Sequence, residues 1–308
     1  MYALKNKTSS KALIAAVCLA LTTFLVYDCK AVSQYTYEGI YFSARYVISA
    51  VFPFVFLSRL LIDTSALEII ADKLSPLMLK IKKNPYALPP FLLNIFCGFP
   101  VGAIYINDLY KKRLVTKKEA DMLLPMCNNP SPAFVFGTVG ATFLKSQRVG
   151  AMLWLINTFF SFAITMFLLP KHNGKKEKNL FNADSYSFSG SFVDSIGQSI
   201  KTALNIVGTV TVFYITAKML TSILERYGIS KGLTALCISI LEIGNGCMYA
   251  SALKSYSRVL CAFAVGFGGI CVFFQVKAAS HKGSMTTFYL FSKITCGLLC
   301  AFFAFFLL

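Results

Sequence analysis

What limits this chain first is a series of apolar runs, each close to the length of a bilayer crossing, with basic clusters set between them. The runs fall at about 12–27, 46–62, 86–108, 122–144, 149–169, 203–223, 233–253, 259–276 and 286–308. A helix needs ~20 apolar residues to cross ~30 Å of hydrocarbon. Charged residues make up only 14% and hydrophobic ones 56%, whereas a soluble chain is about 25% charged. A soluble domain has too little polar surface to cover so much apolar material. The pattern predicts an all-α polytopic membrane protein.

The charge agrees with this. Thirty Lys and Arg against 13 Asp and Glu give +17. These cations cluster at Lys5, Lys7 and Lys11; at Lys80, Lys82 and Lys83; from Lys111 to Lys118; and from Lys171 to Lys178. Short basic loops fix the orientation of membrane proteins, so the clusters mark cytoplasmic loops. No nucleic-acid partner is expected, because the cations do not share a folded soluble face. The run Ala12–Tyr27 reads as a retained first helix, residues 1–30, in preference to a cleaved signal peptide.

Two runs cannot be simple crossings. Basic loops at 73–83 and 111–118 flank 86–108 on both sides, so this run reads as a re-entrant hairpin. Its break is Cys97-Gly98-Phe99-Pro100-Val101-Gly102, since Pro removes a backbone bond and Gly is a poor helix former. The run 122–144 breaks at Asn128-Asn129-Pro130-Ser131-Pro132. Such backbone survives at membrane depth only against protein or a wet cavity.

The plan then recurs. Residues 45–170 form a first repeat, 171–201 a basic cytoplasmic linker, and 202–308 a second repeat broken at Gly244-Asn245-Gly246 and Gly268-Gly269. Each half crosses three times, so the halves must be inverted, an architecture shared by many secondary transporters. The expected fold is an inverted repeat with re-entrant hairpins and broken helices.

Candidate substrate-binding groups are the polar and strained residues at the breaks: Gly98, Pro100, Asn128, Asn129, Ser131, Asn245 and Gln275. Unwound backbone and half-helix N-termini suit anions, although these side chains could equally serve to satisfy the broken backbone. Glu242, the acid deepest in an apolar run, is a candidate for ion coupling. Arg59 and Lys218 occupy matching positions of the two repeats, as helpers for an anion or as snorkelling interfacial cations. No catalytic set, metal site or cofactor is expected. The ten cysteines lack ligand spacing, His172 and His281 have no nearby partner in sequence, and no phosphate loop is present.

The motifs Phe52-Pro53-Phe54, Cys97-Gly98-Phe99-Pro100-Val101-Gly102-Ala103 and Asn128-Asn129-Pro130-Ser131-Pro132-Ala133-Phe134 resemble the YlbJ family of sporulation integral membrane proteins. Leu241-Glu242-Ile243-Gly244-Asn245-Gly246 and Gly266-Phe267-Gly268-Gly269 through Gln275-Val276 fit the same family. The likeness covers about residues 45–285. It implies a nucleoside-recognition (Gate) domain related to concentrative nucleoside transporters. It further implies a role in endospore formation, moving dipicolinate across the outer forespore membrane. A nucleoside-like solute, or a non-transporting assembly role in the sporulation membrane, remains open. The partners expected are a small-molecule substrate and the lipid bilayer, with a homo-oligomer left open.

Overall fold

The computed structural model describes residues 28–64, 66–172, 188–253, 255–281 and 286–308, with six scattered positions from Ala15 to Val26. The expected N-terminal helix and residues 173–187 of the expected linker therefore lie largely outside the described residues. The chain is an all-α, multi-pass integral membrane protein. Among the described residues, five helical stretches are long and apolar enough to cross: Cys29–Asp63, Gln147–Leu168, Gly190–Arg226, Ser257–Ala279 and Thr287–Leu307.

Helices α1 (Cys29–Phe42) and α2 (Ser49–Asp63) run on through a π-helical turn at Ser43–Ile48. Helix α3 (Ala66–Lys80) occupies most of the stretch 73–83, where the sequence predicts a basic loop. Its Glu68 pairs with Lys112 at 2.9 Å, and Asn84 just beyond it donates to the Leu114 carbonyl at 3.1 Å. Both ends of α3 thus meet one segment, so α3 runs along an end of the molecule and does not cross.

The run 86–108 divides into α4 (Leu88–Cys97) and α5 (Val101–Lys111). Each is about 16 Å long at 1.5 Å per residue, half of a crossing. The Asn84–Leu114 bond joins the two ends of the run. The segment is a hairpin that opens toward the basic end. Lys82 and Lys83 accept from His172 N and donate to Leu169 O there, respectively. Helix α6 (Lys117–Leu123) starts at the same end with a Thr116–Glu119 capping box. The histidines do find partners, in space and not in sequence: His172 Nδ1 lies 3.7 Å from Glu119 and His281 Nε2 3.3 Å from Asp121.

A π-helical segment, Ala133–Phe143, leads to α7 (Gln147–Leu168), which returns to the basic end. Helix α8 (Phe188–Arg226) begins well inside the expected 171–201 linker. Its polar residues recur at helical spacing, with Ser195, Ser199 and Thr202 buried. Their polarity reads as a loop in the sequence, yet it belongs to a helix face turned inward. Helices α9 (Lys231–Leu241) and α10 (Ile243–Ser251) pack against one another around a break at Glu242. The last crossings are α11 (Ser257–Phe267) with α12 (Gly269–Ala279), and α13 (Thr286–Leu307). Arg258 at the start of α11 bonds the carbonyl of Leu308, at the far end of α13 from His281. The α9–α10 pair therefore opens toward the end opposite the α4–α5 hairpin.

Candidate functional site

The α4–α5 tip is stitched to the loop that follows α6. Asn94 and Asn129 exchange two bonds: Asn94 Nδ2 donates to the Asn129 carbonyl at 3.2 Å, and Asn129 N donates to Asn94 Oδ1 at 3.1 Å. Phe99 N donates to the same carbonyl at 3.0 Å. Asn128 Oδ1 accepts from Ala103 N at 3.2 Å while its Nδ2 donates to Leu124 O at 2.8 Å. Asn129 Nδ2 donates to Ser161 Oγ at 2.7 Å and Met126 O at 2.9 Å. Asn128's side chain is thus spent on nearby backbone and Asn129's on Met126 O and the Ser161 side chain, as buried polar groups require. Gly102 permits the fit, because a β-carbon there would lie 1.6 Å from Cys127 O.

Ser131 differs from its neighbours. It accepts from Phe134 N at 3.2 Å and is buried, yet it lines an internal cavity.

In the second half Glu242 is the N-cap of α10. Its Oε1 accepts from Gly244 N at 2.8 Å, and its Oε2 from Asn245 N at 2.6 Å and Asn245 Nδ2 at 3.0 Å. Helix N-termini carry unsatisfied N–H groups and positive potential, so the sequence places an acid where the break needs one. Asn245 is occupied by the same contact. The turn Gly268–Gly269 has φ of 85° and 84°, values that favour glycine. It brings Gly269 against the Glu242 backbone, where a β-carbon would sit 3.1 Å from Glu242 Cα. Gln275 on α12 has only a long contact from its Nε2 to Cys271 Sγ, 3.5 Å, and its Oε1 has no partner among the described residues.

These pieces meet. Phe99, Ser131, Glu242 and Gln275 line one cavity of about 20 Å³, together with apolar side chains of α2 and α8. That is room for about one water molecule. Next to it lies an open vestibule of about 680 Å³, which shares Gln275 and Ile206 with the inner cavity. Arg59, Asp63, Pro100, Asp108, Lys111 and Lys201 are among its walls. The inward polar face of α8 is here, with Gln198, Thr202 and Asn205. Ser195, three residues before Gln198, donates to Asp63 at 2.9 Å. Asp108 is held by Lys112 at 2.8 Å, so the bridging contact keeps that carboxylate paired. Arg59 is partly buried with its Nε unpartnered.

Of the residues singled out from sequence, Pro100, Ser131, Gln275, Glu242 and Arg59 gather at the two linked spaces. Gly98 lies directly against Ser131, while Asn128, Asn129 and Asn245 stand behind the lining. Lys218 does not join them. It sits 3.6 Å from Glu38, which also accepts from Tyr214 OH at 3.1 Å, and its ammonium lies over the Tyr214 ring.

Sequence reasoning missed Lys293. It lies on α13 and is 1% exposed, with Nζ 3.0 Å from Asn129 Oδ1 and 3.5 Å from the Asn128 carbonyl. The signal was a lone lysine well inside the apolar run 286–308.

A stretch of 168 residues, 54% of the chain, is 26% identical to the Sporulation integral membrane protein YlbJ of Bacillus subtilis (strain 168). The match covers 40% of that protein, so the chain spans less than half the length of the curated relative it matches. No protein-family model and no solved structure matches the chain.

Proposed function

We propose that this chain is a transporter of the sporulation membrane, in which the vestibule admits a small planar anion and the inner cavity passes it on. One observation carries the reading: three backbone breaks, from both halves of the chain, line a small inner cavity that adjoins an open, cation-bearing vestibule. Broken helices meeting between inverted halves are how secondary transporters build a midplane site. The two hairpins opening toward opposite ends support that inverted relation. The basic end is then cytoplasmic, and the vestibule faces the cytoplasm.

The resemblance to the YlbJ family, and the likeness to a protein named for sporulation, support dipicolinate and the outer forespore membrane. Arg59, Lys111 and Lys201 supply positive charge for carboxylates, and Ser131 and Gln275 offer hydrogen bonds further in. Asn128, Asn129 and Glu242 hold the site in shape. The inner cavity takes about one water, so the loaded state needs its lining to open.

The test is uptake into vesicles holding the purified protein, with labelled dipicolinate and labelled uridine in parallel. Uptake of dipicolinate that unlabelled dipicolinate suppresses supports the reading. Uptake of uridine alone would transfer the site to nucleoside-like solutes. A folded protein that moves neither would leave the assembly role.

A further inference from the structure

Behind the Asn128–Asn129 loop, away from the cavity, α7 and α13 bury a polar seam. Asn157, Ser161 and Thr165 follow one another at four-residue spacing on α7, and each is at most 2% exposed. Opposite them α13 presents Ser292, Lys293, Cys296 and Cys300, each 1% exposed. Cys296 Sγ lies 3.4 Å from Asn157 Oδ1, and Asn129 bridges Ser161 to Lys293.

Several groups in the seam have no partner among the described residues: Asn157 Nδ2, Thr165 Oγ1 and Ser292 Oγ. Most buried helix hydroxyls elsewhere bond back to the carbonyl four residues earlier, as Ser43, Ser199, Thr221 and Ser239 do, with Thr211 an exception. That local bond is the ordinary way for a helix to satisfy a hydroxyl. Thr165 and Ser292 forgo it, and the neighbouring ammonium has only one short acceptor. Buried polar groups of this kind are satisfied by ordered water. The seam also runs toward the basic end. Thr165 is one turn from Leu169, whose carbonyl is bonded by Lys83 at the basic end.

We infer that Lys293 is the proton-coupling residue of the transport cycle, and that the seam along Asn157, Ser161 and Thr165 is its water-filled access from the basic end. The inference rests on the transport reading above. A proton from bulk water passes along the file to the free amine of Lys293, whose lone pair takes it up to form the ammonium. The reverse step returns the proton to water and leaves the lone pair on Nζ. A buried ammonium without a counter-ion is costly. The titratable groups beside it are the thiols of Cys296 and Cys300, and no carboxylate pairs with it among the described residues. An anion arriving at Ser131, two residues beyond Asn129, supplies that missing counter-charge. The loaded site then favours the ammonium and the empty site the amine, so anion and proton travel together. Glu242 is unsuited to this task, since both its oxygens are committed to α10.

The experiment uses the full-length protein in vesicles, with labelled dipicolinate as probe and an imposed pH gradient. Lys293→Gln should lose accumulation driven by the gradient far more than it loses dipicolinate exchange at equal pH. Thr165→Val, nearly isosteric, should slow the gradient-driven component. A merely structural role for Lys293 would lower both modes together. A folded Lys293→Gln protein that keeps the parent's response to the gradient overturns the coupling role. A high-resolution map tests the seam without any transport: waters between Thr165, Ser292 and Lys293 support it, and a dry seam overturns the access path. A parent that moves no dipicolinate in either mode overturns the transport reading, and the coupling role with it.

Discussion

At single side chains, the division of labour differs from what residue type suggests. Asn129 has the chemistry of a ligand-binding amide, yet its bonds go to Ser161, Met126 and Lys293. Asn129→Ala should therefore act on stability. Leaving a buried donor and acceptor unpaired costs about 1–3 kcal/mol, to be read as a lower Tm in detergent. A variant as stable as the parent but impaired in uptake would return Asn129 to the binding set. His281 makes a second prediction, from outside the crossings. Burial pushes its pKa below the usual 6.5, with Lys117 and Lys277 pushing the same way and Asp121 opposing. A folded-state pKa below the unfolded one means the unfolded chain binds more protons in that window. Its stabilising effect is then full above 6.5 and is lost as pH falls through the folded value. The parent should lose Tm on acidification below that point, and His281→Gln should lose less; parallel curves would refute the assignment. Which residues would line the inner cavity was partly legible: Ser131, Gln275 and Glu242 stand near breaks that Gly and Pro announce. Lys293 was not, because its partner Asn129 is 164 positions away and only folding joins them.

Among the elements, the breaks themselves were the readable part. Gly98-Phe99-Pro100, Asn129-Pro130 and Gly268-Gly269 each interrupt a helix in local chemistry, and local chemistry is what a sequence displays. The break expected at Gly244-Asn245-Gly246 falls instead at Glu242, whose carboxylate caps a helix that contains those three residues. The first turns of α8 were hidden, because a polar helix face lining a wet vestibule has the composition of a loop; α3 was hidden because Lys73 and Lys80 lie at the basic end and read as loop cations. Close backbone approach gives a sharp test. Gly102→Ala would drive a methyl into Cys127 O and part the hairpin from the loop; overpacking costs about 1–3 kcal/mol or more, and we expect no monodisperse protein. Gly137→Ala meets nothing within 4 Å and should purify like the parent. The hairpin also fixes sidedness. Single cysteines at exposed Lys82 and Lys118 should behave alike toward an impermeant maleimide, both shielded in intact cells. Labelling at one and not the other would mean that the segment crosses.

For the whole molecule, the wide vestibule ending at a cavity that holds about one water has an electrical consequence. Saline in the vestibule is a conductor, so it carries the potential of the basic end inward as far as Gln275. The membrane voltage then falls mainly across the protein septum between Gln275 and the opposite end. Moving one charge through the full field is worth ~2.3 kcal/mol per 100 mV, and a charge crossing only this septum meets nearly all of it. A short displacement of a dianion, or of the proton on Lys293, becomes a large electrical event. Uptake by vesicles should depend steeply on an imposed potassium diffusion potential, and at rest the same septum should pass no measurable current. The molecule thus concentrates the voltage of a whole bilayer onto a few side chains at its centre.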